Sequence, residues 1–318
     1  MRPMLIVIAG AAIIVLAAII VIVGRLDQPA AVGRQPAHTA LPPGTLPRKP
    51  GTYLGVYATR GSVSYSGVRA FTKATGVTPN VVTYYSAWFE SFRASFATTA
   101  AKHGAVPLIQ IQPTNVSLTA IASGKYDGYL SDYAAAVRSY RHPVILSFGH
   151  EMNGRWYSWG HGHASPAAFV AAWRHIVTLF RALGARNVTW LWTVNVIDTR
   201  HDSIPPPAPW WPGSSYVNWV GIDGYYYKSS WTFAPLFGPT IAKVRELTRD
   251  PILIAETGVA PAAGQPAKIA DLYAGIRDYG LLGFVWFDAH GHRNWRIKSP
   301  TAAAAFLRGS KTYKWPAL

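Results

Sequence analysis

The chain contains no cysteine, which excludes disulfides, thiolate metal ligands and a cysteine nucleophile together. Acidic residues are scarce as well. Against 30 Lys and Arg stand 14 Asp and Glu, for a formal net charge of +16. Only four of the acids are glutamates, Glu90, Glu151, Glu246 and Glu256, so chemistry that needs glutamate has few places to sit. The cations are scattered and no long Lys/Arg run occurs, which argues against a nucleic-acid partner. Anionic surfaces such as envelope polymers, lipid headgroups or acidic glycans remain as expected contacts. There is no G-x-x-x-x-G-K-[ST] motif, and "GVYATRGS" after the first apolar run is a poor phosphate loop. Neither a nucleotide nor an organic cofactor is expected.

What the chain does have begins at its start. Residues 4–24, "MLIVIAGAAIIVLAAIIVIVG", carry no charge, and about 20 apolar residues suffice to span a bilayer as a helix. Arg25, Leu26 and Asp27 follow, a poor cleavage site. An uncleaved anchor over 1–24 is therefore expected, with a cleaved signal peptide as the alternative. Residues 25–50 hold six prolines and no apolar period, and read as a semi-rigid linker. The expected location is a membrane-anchored catalytic domain outside the cell, or a secreted one.

From residue 51 a pattern repeats to the end of the chain. Short apolar runs rich in β-branched and aromatic residues start near 52, 80, 106, 143, 187, 217, 251 and 282, and longer amphipathic stretches separate them. Near-continuous apolar strands alternating with helices predict a parallel sheet covered on both faces. Ser165-Pro166 and Ser299-Pro300 mark helix starts, and Gly184, Gly280 and Gly309 mark stops. Eight strand–helix units over residues 51–318 predict an α/β fold, a (β/α)8 TIM barrel; an open doubly wound sheet is the alternative.

In such a barrel, function gathers at the carboxyl ends of the strands. Glu151 lies just past the fourth apolar run and Glu256 ends the seventh. Two carboxyls at one mouth suit glycoside hydrolysis, in which one protonates the leaving oxygen and the other attacks the anomeric carbon or activates water. Rings at strand ends, Tyr57, Tyr85, Trp88, Phe89 and Trp192, together with Trp210 and Trp211 in a proline-rich loop, offer faces for pyranose stacking. The pairs His161/His163 and His290/His292 invite a metal reading. Both contain Gly and fall in loops, so sugar hydrogen bonding or solvation is favoured and no metal is expected.

"HEMNGRWYSWG" (150–160) and "IAETG" (254–258) resemble glycoside hydrolase family 26, best known for endo-β-1,4-mannanases of retaining mechanism. The resemblance implies Glu151 as acid/base and Glu256 as nucleophile. It places His150 before the acid/base and matches Trp156 to the Trp that follows the motif. His150 can hydrogen-bond to a carboxylate or a sugar hydroxyl, and Asn153 belongs to a turn that swings Trp156 over the mouth. All three are expected substrate contacts, as is Trp88 after the second strand. Tyr225, with Tyr226 as alternative, would stand beside the nucleophile, and Trp286 would floor the sugar site. Many family mannanases carry Arg four residues before the acid/base, where this chain has Ser147. The family also acts on mixed-linkage β-glucan and β-1,3-xylan.

A retaining endo-β-glycosidase acting on a β-1,4-mannan-type polysaccharide is thus the leading expectation, with the chain a monomer. The alternatives are hydrolysis of another β-glycan or of an anionic envelope glycan, and a non-catalytic glycan-binding protein on an inactive barrel.

Overall fold

The computed structural model describes residues 46–58, 64–197, 204–291 and 293–312. The apolar run 4–24 and most of the linker lie outside them. Among the described residues no helix is long and apolar enough to cross a membrane.

Eight strands close into one parallel barrel in chain order: β1 (Tyr53–Tyr57), β2 (Val81–Ala87), β3 (Val106–Gln112), β4 (Val144–Phe148), β5 (Val188–Asn195), β6 (Trp219–Tyr226), β7 (Ile252–Val259) and β8 (Gly283–Phe287). The closing pair is β1 with β8, from Tyr53 opposite Gly283 to Tyr57 opposite Phe287. Outside run α1 (Ser66–Thr75), α2 (Ala94–Lys102), α3 (Leu118–Ala122), α4 (Asp127–Tyr140), α5 (Pro166–Ala182), α6 (Phe233–Leu247), α7 (Gln265–Asp278) and α8 (Pro300–Ser310). The Ser-Pro starts behave as expected: Ser165 Oγ accepts the Ala168 amide at 3.2 Å and Ser299 Oγ that of Ala302 at 3.1 Å.

The expectation of one helix per strand needs correcting. Two helices, α3 and α4, follow β3, whereas β5 joins β6 through two 3-10 turns among the described residues. Prolines at 205–207, 209 and 212 deny that segment the amide donors a helix needs. The gap is closed instead by buried Trp210 and by α5, whose Trp173 Nε1 and Arg174 Nε donate to the carbonyls of Tyr216 and Pro212 at 3.1 and 2.8 Å.

The core has two parts. Between sheet and helices packs the larger one, with fully buried Trp173, Phe180, Phe237 and Phe306. Inside the barrel a smaller one holds Tyr53, Val81, Leu108, Ile145, Leu191, Trp219 and Leu253, and Tyr53 meets Trp219 at 4.8 Å between ring centroids. Leu46, read from sequence as linker, is buried in this inner cluster, while Arg48 pairs with Asp250 at 2.8 Å and Tyr53 Oη donates to the Pro47 carbonyl. Residues 46–50 thus belong to the barrel and seal its lower end.

Helices antiparallel to the strands end where the next strand begins, at the face opposite the mouth. Among the described residues, every helix of nine residues or more carries a cation in its last turn: Lys73, Lys102, Arg138, Arg181, Arg245, Arg277 and Arg308. Such cations complement the negative end of the helix dipole.

Candidate active site

Side chains on a strand alternate faces. On β2, Val81, Thr83 and Tyr85 point inward, the last at the mouth. On β7, Leu253 and Ala255 belong to the inner cluster, so regular alternation would turn Glu256 outward to the helices. A bulge prevents this. Ile222 of β6 opposes Ile254, but Asp223 opposes Glu256, so one extra residue is inserted in β7 and its register with β8 slips over the same stretch. Bulges re-aim side chains in this way. Glu256 consequently faces the mouth, where Tyr85 Oη and Tyr225 Oη donate to Oε2 and Oε1.

Glu151 reaches the mouth by another route. β4 ends at Phe148, and Glu151 adopts a left-handed backbone with φ 55°, a conformation uncommon for a side chain with Cβ. Its amide donates to the Thr193 carbonyl at 2.9 Å, which ties the turn to β5. Its carboxylate accepts Asn195 Nδ2 at 2.5 Å on Oε1 and Trp156 Nε1 at 2.7 Å on Oε2. Glu151 and Glu256 both line one cleft of about 980 Å³, with Tyr85, Gln112, Trp156, Tyr157, Asn195, Tyr225, Phe287 and Trp295 among its walls.

No cation side chain lines this cleft among the described residues, and burial and like charge therefore dominate. Burial and then the Glu256 charge raise Glu151 to about 8, opposed by the Asn195 and Trp156 hydrogen bonds. Burial raises Glu256, opposed by its two phenols. Asp223, fully buried opposite Glu256 with neither carboxyl oxygen hydrogen-bonded, is raised well above the usual range by burial and by both glutamates. Burial without a partner and two neighbouring carboxyls both favour the protonated form of Asp223. The arrangement supplies an acid poised near neutrality and a carboxylate with two oriented donors, which is the equipment for displacement at an acetal carbon.

Tyr225 and Trp156 line the cleft, whereas His150, Asn153, Trp88 and Trp286 are not among its walls. Trp286 is fully buried outside the barrel, 5.7 Å from the Phe306 ring, because the inward positions of β8 fall on Val285 and Phe287. Phe287 and Trp295 line the cleft in its place, and Trp295 packs 4.4 Å from Tyr225. Trp88 is buried among Phe89, Tyr126, Tyr129 and Phe148. His150 is buried with Nε2 3.1 Å from Tyr157 Oη, and burial lowers it to about 3, so it is neutral. Asn153 is buried and braces Asn195, donating to its carbonyl and accepting its amide. Trp210 is buried, Tyr226 is buried behind the mouth, and Trp192 is buried in the outer core. His161 and His163 bond to Arg155, with His161 Nε2 3.1 Å from its guanidinium and His163 Nε2 2.9 Å from its carbonyl. His292 lies outside the described residues, and among those described no cluster of three or more metal-ligating side chains occurs. Glu90 pairs with Arg93 at 3.1 Å and caps the Ala87 amide, away from the pair.

Asn195 was missed by the sequence reading, and Tyr85 was read only as a stacking ring. Asn195 ends β5 and Tyr85 lies two residues before the end of β2, and nearness to a strand end is the one signal the sequence offered.

Comparison with known proteins agrees with this geometry. The sequence model of glycosyl hydrolase family 26 matches residues 110–261. Endoglucanase H of Acetivibrio thermocellus is 31% identical over 263 residues, covering 76% of this chain and 29% of that protein. A β-1,3-xylanase of a Vibrio species is 26% identical over 173 residues, covering 49% of this chain and 35% of that one. The chain thus spans about a third of these relatives' lengths. Among solved structures, a modular endo-β-1,4-mannanase from Cellulomonas fimi superposes with a TM-score of 0.65 at 17% identity, covering 82% of this chain and 70% of that chain. A Bacillus subtilis mannanase superposes with a TM-score of 0.62 at 18% identity, covering 82% and 86%. At such identities the structural likeness concerns the fold.

Proposed function

We propose, from the premise that this chain belongs to glycosyl hydrolase family 26, that it is a retaining endo-β-glycanase in which Glu256 is the nucleophile and Glu151 the acid/base. The carrying observation is that two glutamates line one cleft and are held by different donors, Asn195 and Trp156 on Glu151 and two phenols on Glu256. Glu151 is raised to about 8 and enters the reaction as an acid. Glu256 is held by two phenols that favour its anion. In the first step Glu151 protonates the glycosidic oxygen while Glu256 attacks the anomeric carbon, forming a glycosyl ester and releasing the aglycone. Esterification removes the Glu256 charge, which lowers Glu151 and suits it to deprotonate the water that hydrolyses the ester with net retention. Tyr85 and Tyr225 orient the nucleophile. Asn195 and Trp156 orient the acid, and the exposed face of Trp156 is a stacking surface for the sugar beside the scissile bond.

The first substrate is a β-1,4-mannan-type polymer, with a β-glucan as the second reading. Two observations favour the second. The relative at 31% identity is named an endoglucanase, and Ser147 is a buried hydroxyl spent on Thr193 Oγ1 at 3.0 Å, where many family mannanases have Arg. The test is product analysis on mannan, glucomannan, mixed-linkage β-glucan and β-1,3-xylan, with NMR of the first-formed anomer and peptide mapping after a 2-deoxy-2-fluoro glycoside. Trapping on Glu256 with a β-anomer first product is expected. Inversion, or label on another residue, would overturn the mechanism.

A further inference from the structure

The helix-end cations explain part of the basic charge, but the loops that follow those ends add more. Arg141 and Arg186 precede β4 and β5, Arg249 precedes β7, Lys311 follows α8, and Lys49 precedes β1. All five are exposed. Arg141 and Lys311 cap the C-termini of α4 and α8, where the helix dipole favours a cation, but Lys49, Arg186 and Arg249 lie beyond any helix cap and dipole complementarity does not account for them. The carboxylates on this face are already matched: Asp250 with Arg48 at 2.8 Å, Asp278 with Arg277 at 2.9 Å and Glu246 with Lys243 at 2.9 Å. Among the described residues, none of the five loop cations makes an ion pair. The other end of the barrel instead holds the buried acids Glu151 and Asp223 and the half-buried Glu256. Cations are therefore denser at this end of the cylinder than at the mouth, whose loops expose Arg155, Lys228, Arg293 and Lys298.

We infer that this basic end is a docking face for an anionic phospholipid surface, which leaves the cleft pointing away from the bilayer. Three observations favour a lipid surface over a soluble polyanion. The cations lie around the rim of one barrel end, as contact with a plane requires, rather than along a groove. The described chain begins on the same face, with Leu46 in the lower cluster. About twenty residues before Leu46 the sequence carries its uncharged run 4–24. Basic residues held near anionic headgroups each add attraction that fades within a Debye length.

The absence of cysteine makes the test clean, since one introduced thiol takes one label. Ser139→Cys, exposed beside Arg138 and Arg141, marks the basic end, and Ser229→Cys, exposed after β6, marks the mouth. The labelled full chain is placed in nanodiscs of phosphatidylcholine, with or without phosphatidylglycerol, that carry a headgroup quencher. Quenching of the 139 label only with phosphatidylglycerol, abolished by high salt or by combined Arg141→Gln, Arg186→Gln, Arg249→Gln and Lys311→Gln, is the expected result, with the 229 label unquenched throughout. The combined variant should keep its melting temperature and hydrolytic rate. Equal quenching at 139 in both lipids overturns the inference. So does a basic end that stays unquenched over phosphatidylglycerol while the chain binds heparin or a polyphosphate, which would assign the face to a soluble polyanion.

Discussion

Tyr85 and Glu256 stand 171 residues apart in sequence, on β2 and β7, and the tyrosine hydroxyl donates directly to the carboxylate. With Tyr225 from β6 it gives the carboxylate one phenol on each oxygen. Removing a donor that favours the charged form raises a carboxyl pKa. Tyr85→Phe should therefore move the acidic limb of the kcat/KM profile to higher pH and lower its plateau roughly 10- to 100-fold, in line with about 1.5–3 kcal/mol for hydrogen bonds to charged groups. Tyr225→Phe should act in the same direction. An unmoved acidic limb in both variants would remove the phenols from the nucleophile's ionisation.

The donors to Glu151 act on the opposite limb. Asn195 Nδ2 and Trp156 Nε1 stabilise its anion. Asn195→Ala and Trp156→Phe should raise its pKa further and carry the basic limb of the profile, set by Glu151 near 8 in the parent, to higher pH. The two pairs of variants thus displace opposite ends of one bell-shaped curve. If Asn195→Ala shifts the acidic limb instead, the roles of the two glutamates are reversed.

Replacing the carboxyls separates the steps. Glu256→Gln should lower kcat by about 10⁴-fold or more, since it removes the nucleophile. Glu151→Ala should lower it by about 10²–10⁴ on substrates with poor leaving groups. Loss of Glu151 matters less when the leaving group needs no proton, so an activated aryl glycoside should react rapidly in the first step and accumulate the glycosyl-enzyme. Added azide should then restore turnover. Equal impairment on polysaccharide and aryl glycoside, with no azide rescue, would speak against an acid/base role.

Stability should carry the same signature. Glu151 is raised in the folded chain, so its contribution is fully present below the ordinary carboxyl pKa and is lost as pH rises through about 8. Glu151→Gln abolishes that loss. Melting temperatures of parent and variant should diverge with increasing pH, the variant holding steadier on the alkaline side. Parallel curves would mean that the folded-state shift is absent.

The legible parts of the molecule were those carried by local pattern. Eight apolar runs and their Ser-Pro and Gly punctuation suffice for the barrel. Glu151 and Glu256 stand out because each is a charge at or just past the end of an apolar run. The misreadings share a physical source. A strand buried on both faces, such as "GFVWF", has no polar–apolar alternation to fix its phase, so the sequence does not distinguish Trp286 from Phe287, and in the barrel the indole turns outward. The β7 bulge that turns Glu256 inward leaves no mark in "ILIAETGV". Asn195 meets Glu151 across 44 residues and Tyr85 meets Glu256 across 171, and such partnerships arise only from closure of the barrel. The proline-rich "IPPPAPWWPG" is legible as a loop from sequence, and it conflicts with the expectation of a helix after every strand.

Asp223 gives the sharpest electrostatic test, because its charge state and its shape can be varied separately. It is buried without a hydrogen-bonding partner opposite the nucleophile, and burial together with both glutamates raises it well above the usual range. A protonated aspartic acid and an asparagine have nearly the same shape and the same charge. If Asp223 holds its proton, Asp223→Asn should leave both limbs of the pH profile in place and change kcat/KM by no more than about threefold, well below the tenfold that one pKa unit represents. If Asp223 is instead an anion, the same substitution removes a negative charge beside Glu256, and the acidic limb must move to lower pH. Asp223→Ala provides the control for packing: it leaves a void next to Glu256 and should reduce activity and melting temperature in either case. Neutrality of the third carboxyl is what allows the other two to divide into acid and anion. A profile displaced by asparagine to lower pH would show three mutually repelling charges sharing the mouth.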